Sequence, residues 1–163
     1  MKFNSFIVGT GSNTLVGGVQ PASGDNIAAT AFAIQLEAGG PANFTVNYVG
    51  SPYTTFDLKG LSYSCAAATM ATVAFVTVKC RLRFTAYDAN KYALGSREVT
   101  YIPDGTLALG RSSQSSVTFG DEWPKFKGVV TVGVEVAAST LAEKLLEPLI
   151  GIALDSIGVV YHA

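Results

Sequence analysis

"VAFVTVKCRLRFTAYDANKYALGSREVTYI", Val73 to Ile102, decides the fold class. Val76, Val78, Cys80, Leu82, Phe84 and Ala86 fall on one face of an extended chain, and Thr77, Lys79, Arg81, Arg83 and Thr85 on the other. That period of two is the mark of a strand with one face on a core and one in water. The turn formers of "DANK", Asp88 to Lys91, follow, and Ala93 to Ile102 return antiparallel. Pairing Tyr87 with Tyr92 sets Arg81 opposite Glu98 and Cys80 opposite Val99, so both faces match chemically.

Outward from this hairpin, short alternating or apolar runs recur between glycine, proline and Asx turns. They predict strands at Phe3 to Val8, Thr14 to Val19, Ile27 to Leu36, Asn43 to Val49, Thr54 to Leu58, Leu61 to Cys65, Ser116 to Phe119, Val129 to Ala137 and Gly151 to Tyr161. The expectation is one all-β domain over residues 1–163, an antiparallel sandwich or barrel of about 8–10 strands. "STLAEKLLEPLIG", Ser139 to Gly151, breaks the pattern. Thr140 and Glu143 form a capping box, Leu141 and Leu145 lie one turn apart, and Pro148 stops the run, predicting a short helix near 140–147. It would cover an open end of the sandwich or bury Leu145 and Leu149 against a partner.

The chain has 163 residues, enough for one proper core burying roughly 70 % of the unfolded surface. Its 11 basic and 12 acidic residues leave a net charge of -1, with no basic excess to neutralise phosphates, so nucleic acid is not an expected partner. Only 14 % of residues are charged and 48 % are hydrophobic, a composition that opposes self-association weakly. The longest apolar run, Ala66 to Val78, is shorter than the roughly 20 residues of a membrane-spanning helix, so no transmembrane segment is expected. The opening "MKFNSFIVGTGS" has too short an apolar stretch for the core of a signal peptide.

The chain's two cysteines, Cys65 and Cys80, fall at inward positions, with no C-x-x-C motif and no ligand set for zinc. A disulfide closing a loop of about 15 residues is the economical reading and points to an oxidising, extracellular compartment. Two buried free thiols in a reducing compartment are the alternative. "NFT" at Asn43 to Thr45 is a glycosylation sequon, just after the turn formers Gly39, Gly40 and Pro41.

"FDLKGLSYSC", then "VKCRLRFTAYDANKYALGSREVTYIPD", "VTFGDEWPKFKGV" and "IALDSIGVVY", resembles a family of small secreted fungal proteins. Those carry F-D-L-K-S-F-Y-F-G-C, a second cysteine opening a strand toward G-Y-D-A, and a closing L-D-N-V strand. The likeness runs over roughly Ser23 to Tyr161 and implies a jelly roll akin to carbohydrate-binding modules. Ser64 stands where the family usually has glycine and Ser156 where it usually has asparagine. The resemblance also implies a structural calcium near Asp155, although the residues before Asp25 offer no acidic partner.

Catalytic chemistry finds little to work with. The single histidine, His162, is penultimate, no G-x-S-x-G elbow is present, and Gly9 and Gly11 read as turn residues rather than a phosphate loop. Asp121 and Glu122 are adjacent in a turn, not a glycosidase pair, and a copper centre would need more imidazoles. No enzyme and no resident cofactor are expected. Ring stacking on sugars would fall to Tyr48, Tyr53, Tyr63, Tyr92 or Trp123, of which Tyr53 and Trp123 adjoin prolines in loops. The expectation is a secreted, lectin-like module for a polysaccharide or glycan. The alternative is a structural protein forming homo-oligomers through strand edges and Leu141, Leu145 and Leu149.

Overall fold

A computed structural model describes residues 1–10, 19, 22–24, 26–31, 41–69, 72–104, 112–137 and 150–163. The strands are β1 (Lys2–Asn4), β2 (Ile7–Thr10), β3 (Asn26–Ala31), β4 (Ala42–Thr45), β5 (Thr55–Thr69), β6 (Thr72–Thr77), β7 (Cys80–Tyr87), β8 (Ala93–Tyr101), β9 (Ser115–Thr118), β10 (Thr131–Val136) and β11 (Ile150–His162). They form two antiparallel sheets, in the orders β1-β4-β10-β7-β8 and β2-β3-β11-β5-β6, with β9 also on β5. Within them, β3-β11-β5-β9 and β4-β10-β7-β8 are the two four-stranded sets of a jelly roll, in which strands distant in sequence lie side by side.

Four predicted strands are split or fused, each for a local reason. The run Phe3 to Val8 splits at Ser5, whose φ of 61° turns the chain so that β1 joins one sheet and β2 the other. Thr54 to Leu58 and Leu61 to Cys65 fuse into β5 through Gly60, where an added Cβ would lie 2.9 Å from the Val117 carbonyl oxygen of β9. Val73 to Tyr87 divides into β6 and β7 around Val78 and Lys79, so the long strand passes from one sheet to the other. Of Thr14 to Val19 only Val19 is described, and the helix near 140–147, with Leu141, Leu145 and Leu149, lies outside the described residues.

The β7–β8 hairpin also has a different register. Arg83 faces Glu98 and Cys80 faces Tyr101, two residues from the predicted pairing, with a bulge between Ala86 and Tyr87. Asp88 causes the slip: its Oδ1 accepts the backbone N–H of Asn90 at 2.9 Å and of Tyr92 at 2.8 Å, and Lys91 adopts φ 65°, giving a wider turn. A two-residue slip preserves the faces. An arginine therefore still pairs with Glu98, now Arg83 at 2.6 Å with Arg81 at 3.6 Å, and Arg83 also pairs with Glu135 on β10, at 3.1 Å.

Phe44, Phe56, Leu58, Leu82, Phe84 and Leu154 are at the centre of the core between the sheets. Cys65 on β5 and Cys80 at the start of β7 form a disulfide, with Cα atoms 6.3 Å apart. Because β5 and β7 belong to different sheets, it joins the two layers at the crossover rather than neighbouring strands. On the outer face of the six-stranded sheet, Val19, Ile27, Ala66 and Ala153 make a second apolar cluster. Among the described residues no helix is long and apolar enough to cross a membrane.

Candidate functional site

Alternation along β1, β4, β10 and β7 sends Phe3, Phe44, Val132 and Ala86 inward and a polar set outward. Antiparallel pairing then aligns two outer rows: Asn4, Asn43, Gly133 and Thr85, and beside it Lys2, Thr45, Thr131 and Tyr87. A groove of about 430 Å³ opens over these rows toward the β7–β8 turn. Its walls include Asn47 after β4 and Asp88, Ala89 and Lys91 from the turn. The volume lies within the roughly 300–1,000 Å³ of small-ligand clefts.

The groove depends on a missing side chain. A Cβ on Gly133 would stand 3.2 Å from Cε2 of Tyr87, so glycine leaves room for the tyrosine ring to lie against β10. The polar wall is held in place by its own bonds. Asn4 Nδ2 donates to Asn43 Oδ1 at 2.8 Å, and Asn43 Nδ2 donates to the Pro41 carbonyl at 3.2 Å. Thr45 Oγ1 donates to the Val130 carbonyl at 2.9 Å, lies 2.8 Å from Thr131 Oγ1, and accepts the Asn47 N–H at 2.9 Å. Amides and hydroxyls fixed in this way present donors and acceptors without ordering cost, beside one aromatic ring and one charge of each sign.

At the same end of the sandwich stands an aromatic group. The rings of Tyr53 and Tyr161 stack at 4.4 Å and 16°. Burial, with the neighbouring phenols of Tyr53 and Tyr48, holds the Tyr161 hydroxyl above the ordinary tyrosine pKa. Tyr48 is next in sequence to Asn47 of the groove wall. Tyr92, largely exposed, belongs to the turn that bounds the groove, and its N–H is held by Asp88.

The remaining candidate residues sit elsewhere. Trp123 packs beside the core with the Arg97 guanidinium 4.5 Å above its ring, and the same guanidinium lies 5.2 Å from the Phe119 ring. Arg97 also donates to the Thr118 carbonyl, so the tryptophan anchors the loop after β9. Tyr63 is a core residue whose hydroxyl donates to the Thr100 carbonyl at 3.1 Å. Asn43 lies inside β4, half-buried, with its side-chain nitrogen already bonded. A glycan attached there would fill the groove.

Asp155 is surrounded by donors. Oδ2 accepts the N–H of Ala22 at 2.7 Å and of Ser23 at 2.9 Å, while Oδ1 accepts Ser23 Oγ at 3.2 Å and the Ser156 N–H at 2.5 Å. N–H and O–H groups directed at a carboxylate do the work a cation would do, and no cluster of three metal-ligating side chains exists among the described residues. The described donors around Asp155 do not fit a calcium ion. Instead Asp155 ties the segment at Ala22 to the bulge of β11, where Ser156 adopts φ 50°.

Sequence reasoning passed over Tyr87, Asn4, Asn47, Lys91 and Tyr161. Tyr87 could have been found, because alternation already put it on the polar face beside a turn. Lys91 belongs to the turn next to Tyr87, whereas Asn4, Asn47 and Tyr161 lie far apart in the chain and only strand pairing brings them to one end of the sandwich.

The protein is thus a jelly-roll β-sandwich with a preformed polar groove on the outer face of one sheet. Among solved structures it is similar to a DUF4465 family protein from Bacteroides caccae, with a TM-score of 0.57 and 16% identity over 98% of this chain and 75% of that one. That likeness establishes the fold. No family model and no curated protein matches the sequence.

Proposed function

We propose that this is a secreted, non-enzymatic carbohydrate-binding module, lectin-like in action, with the outer groove as its sugar site. The observation that carries this reading is the combination of fixed amides and hydroxyls with the Tyr87 ring over Gly133, in a cleft sized for a small ligand. Sugars offer alternating C–H faces and hydroxyl edges, which rings and amide groups match. The disulfide supports an oxidising, extracellular setting, and the sequence resemblance to secreted fungal proteins points the same way. Asn4, Asn43 and Asn47 would bind sugar hydroxyls, Tyr87 would stack on a ring face, and Tyr48 and Tyr92 would border the ligand.

A glycan array, followed by calorimetry with the sugars it selects, tests this. Binding should be lost on Tyr87→Ala and on Gly133→Val, which pushes the tyrosine ring off β10. Failure to bind any glycan, or binding indifferent to both substitutions, would overturn the reading.

Self-association is the second reading. It is favoured by β8, an edge strand with exposed apolar residues Tyr92, Leu94 and Ile102 at or near its ends. Light scattering after size exclusion at two protein concentrations tests it, a constant monomer mass being the contrary result.

A further inference from the structure

We infer that Tyr53, backed by Tyr161, is a second stacking subsite, so that the ligand is an oligosaccharide chain and not a single terminal sugar. This inference rests on the carbohydrate reading of the groove.

The pair is built as a rigid platform. The two rings stack on each other, and each keeps 37% exposure, so Tyr161 covers one face of Tyr53 and leaves ring surface open to solvent. The loop carrying Tyr53 is pinned at both ends. Gly50 turns the chain at φ 85°, and the Ser51 N–H donates to the Tyr48 carbonyl at 3.0 Å. Ser51 Oγ accepts the Tyr53 N–H at 3.3 Å and lies 3.1 Å from the Tyr53 carbonyl oxygen. The Thr54 N–H then bonds the His162 carbonyl at 2.9 Å, next to Tyr161. Pro52 stiffens the approach. Two exposed aromatic rings held this firmly add nothing to the core, and ordering them in advance lowers the entropic cost of stacking a ligand.

The platform is within reach of the groove. The Val130 N–H bonds the Tyr87 carbonyl, Val129 bridges to Phe56, and Phe56 pairs with Tyr161. Three interstrand steps of about 4.8 Å and the one-residue step from Val130 to Val129, about 3.8 Å, separate Tyr87 from Tyr161, roughly 18 Å along the backbone. Tyr48 lies between, contiguous with Asn47. One extended sugar chain can therefore contact the groove and the stacked tyrosines together, and a single sugar cannot.

Calorimetry on the intact protein with disaccharides and hexasaccharides of the cello-, laminari-, manno-, xylo- and chito- series tests this. For the series that binds, the hexasaccharide should bind more tightly than the disaccharide by roughly three- to tenfold, the contribution of one stacked ring. Tyr53→Ala should abolish that gain while leaving disaccharide affinity unchanged, and Tyr53→Phe should retain it. Equal affinity for both lengths in the unmodified protein, or a gain that survives Tyr53→Ala, would overturn the second subsite while leaving the groove reading standing. Absence of binding to every series would overturn both.

Discussion

Replacing Cys65 and Cys80 together by alanine removes the chain's one disulfide, which cross-links the two sheets. The bridged positions are 15 residues apart, and a loop of that size gives about 3 kcal/mol through the lost entropy of the unfolded chain. Both cysteines are buried in the central cluster, so the two missing sulfurs add on the order of 1 kcal/mol of lost packing. For a chain of this length each kcal/mol corresponds to about 2–4 °C, so the melting temperature should fall by about 6–16 °C. Guanidinium unfolding followed by Trp123 fluorescence measures the free-energy change, and calorimetry measures the temperature shift. Burial also predicts that the native protein resists reduction by dithiothreitol until it is partly unfolded. A loss below about 1 kcal/mol would refute the reasoning, as would free thiols titrating in the oxidised, denatured protein.

Asp57 should contribute to the acid limb of stability. Burial pushes its carboxyl pKa up, but the Gly128 N–H, His162 and Lys59 outweigh it and bring the value from 3.8 to about 2. A depressed folded-state pKa contributes stability that is present above about pH 4 and lost as the pH falls through about 2. Asp57→Asn should therefore lower stability by on the order of 1–2 kcal/mol at neutral pH and flatten the acid limb between pH 4 and 2, read by circular dichroism. Asp155→Ala should destabilise by about 1–2 kcal/mol, since it removes the charged acceptor of the Ala22 and Ser23 N–H groups, and hydrogen exchange at those amides should rise. Ser156→Asn, a residue tolerant of positive φ, should be neutral or stabilising, whereas Ser156→Val should cost about 1–2 kcal/mol in thermal unfolding. Ser64 Oγ is fully buried and has no hydrogen-bond partner among the described residues, so Ser64→Ala should raise stability by up to about 1 kcal/mol in the same assay.

Much of the fold was legible in one dimension because burial enforces a period of two. Val78, Cys80, Leu82, Phe84 and Ala86 read as a core face, and they pack as one. The same rule hid the passage from β6 to β7: both sheets face one core, so the alternation runs through Val78 and Lys79 without a break. The hairpin register was ambiguous for a related reason. A slip of two residues keeps every side chain on its face and still brings an arginine opposite Glu98, so the Asp88 turn, not the pattern, selects it.

An all-β chain, its core faces and two inward cysteines at a bridgeable spacing follow from local alternation and composition. Long-range strand pairing decided that the cysteines join two sheets and that Asp155 holds backbone amides. It also decided that Asn4, Asn43, Gly133 and Tyr87 meet across four strands to form a groove. Those residues are distant in the chain, and each is unremarkable alone. Their juxtaposition comes from the order in which the strands pair, which no local pattern encodes.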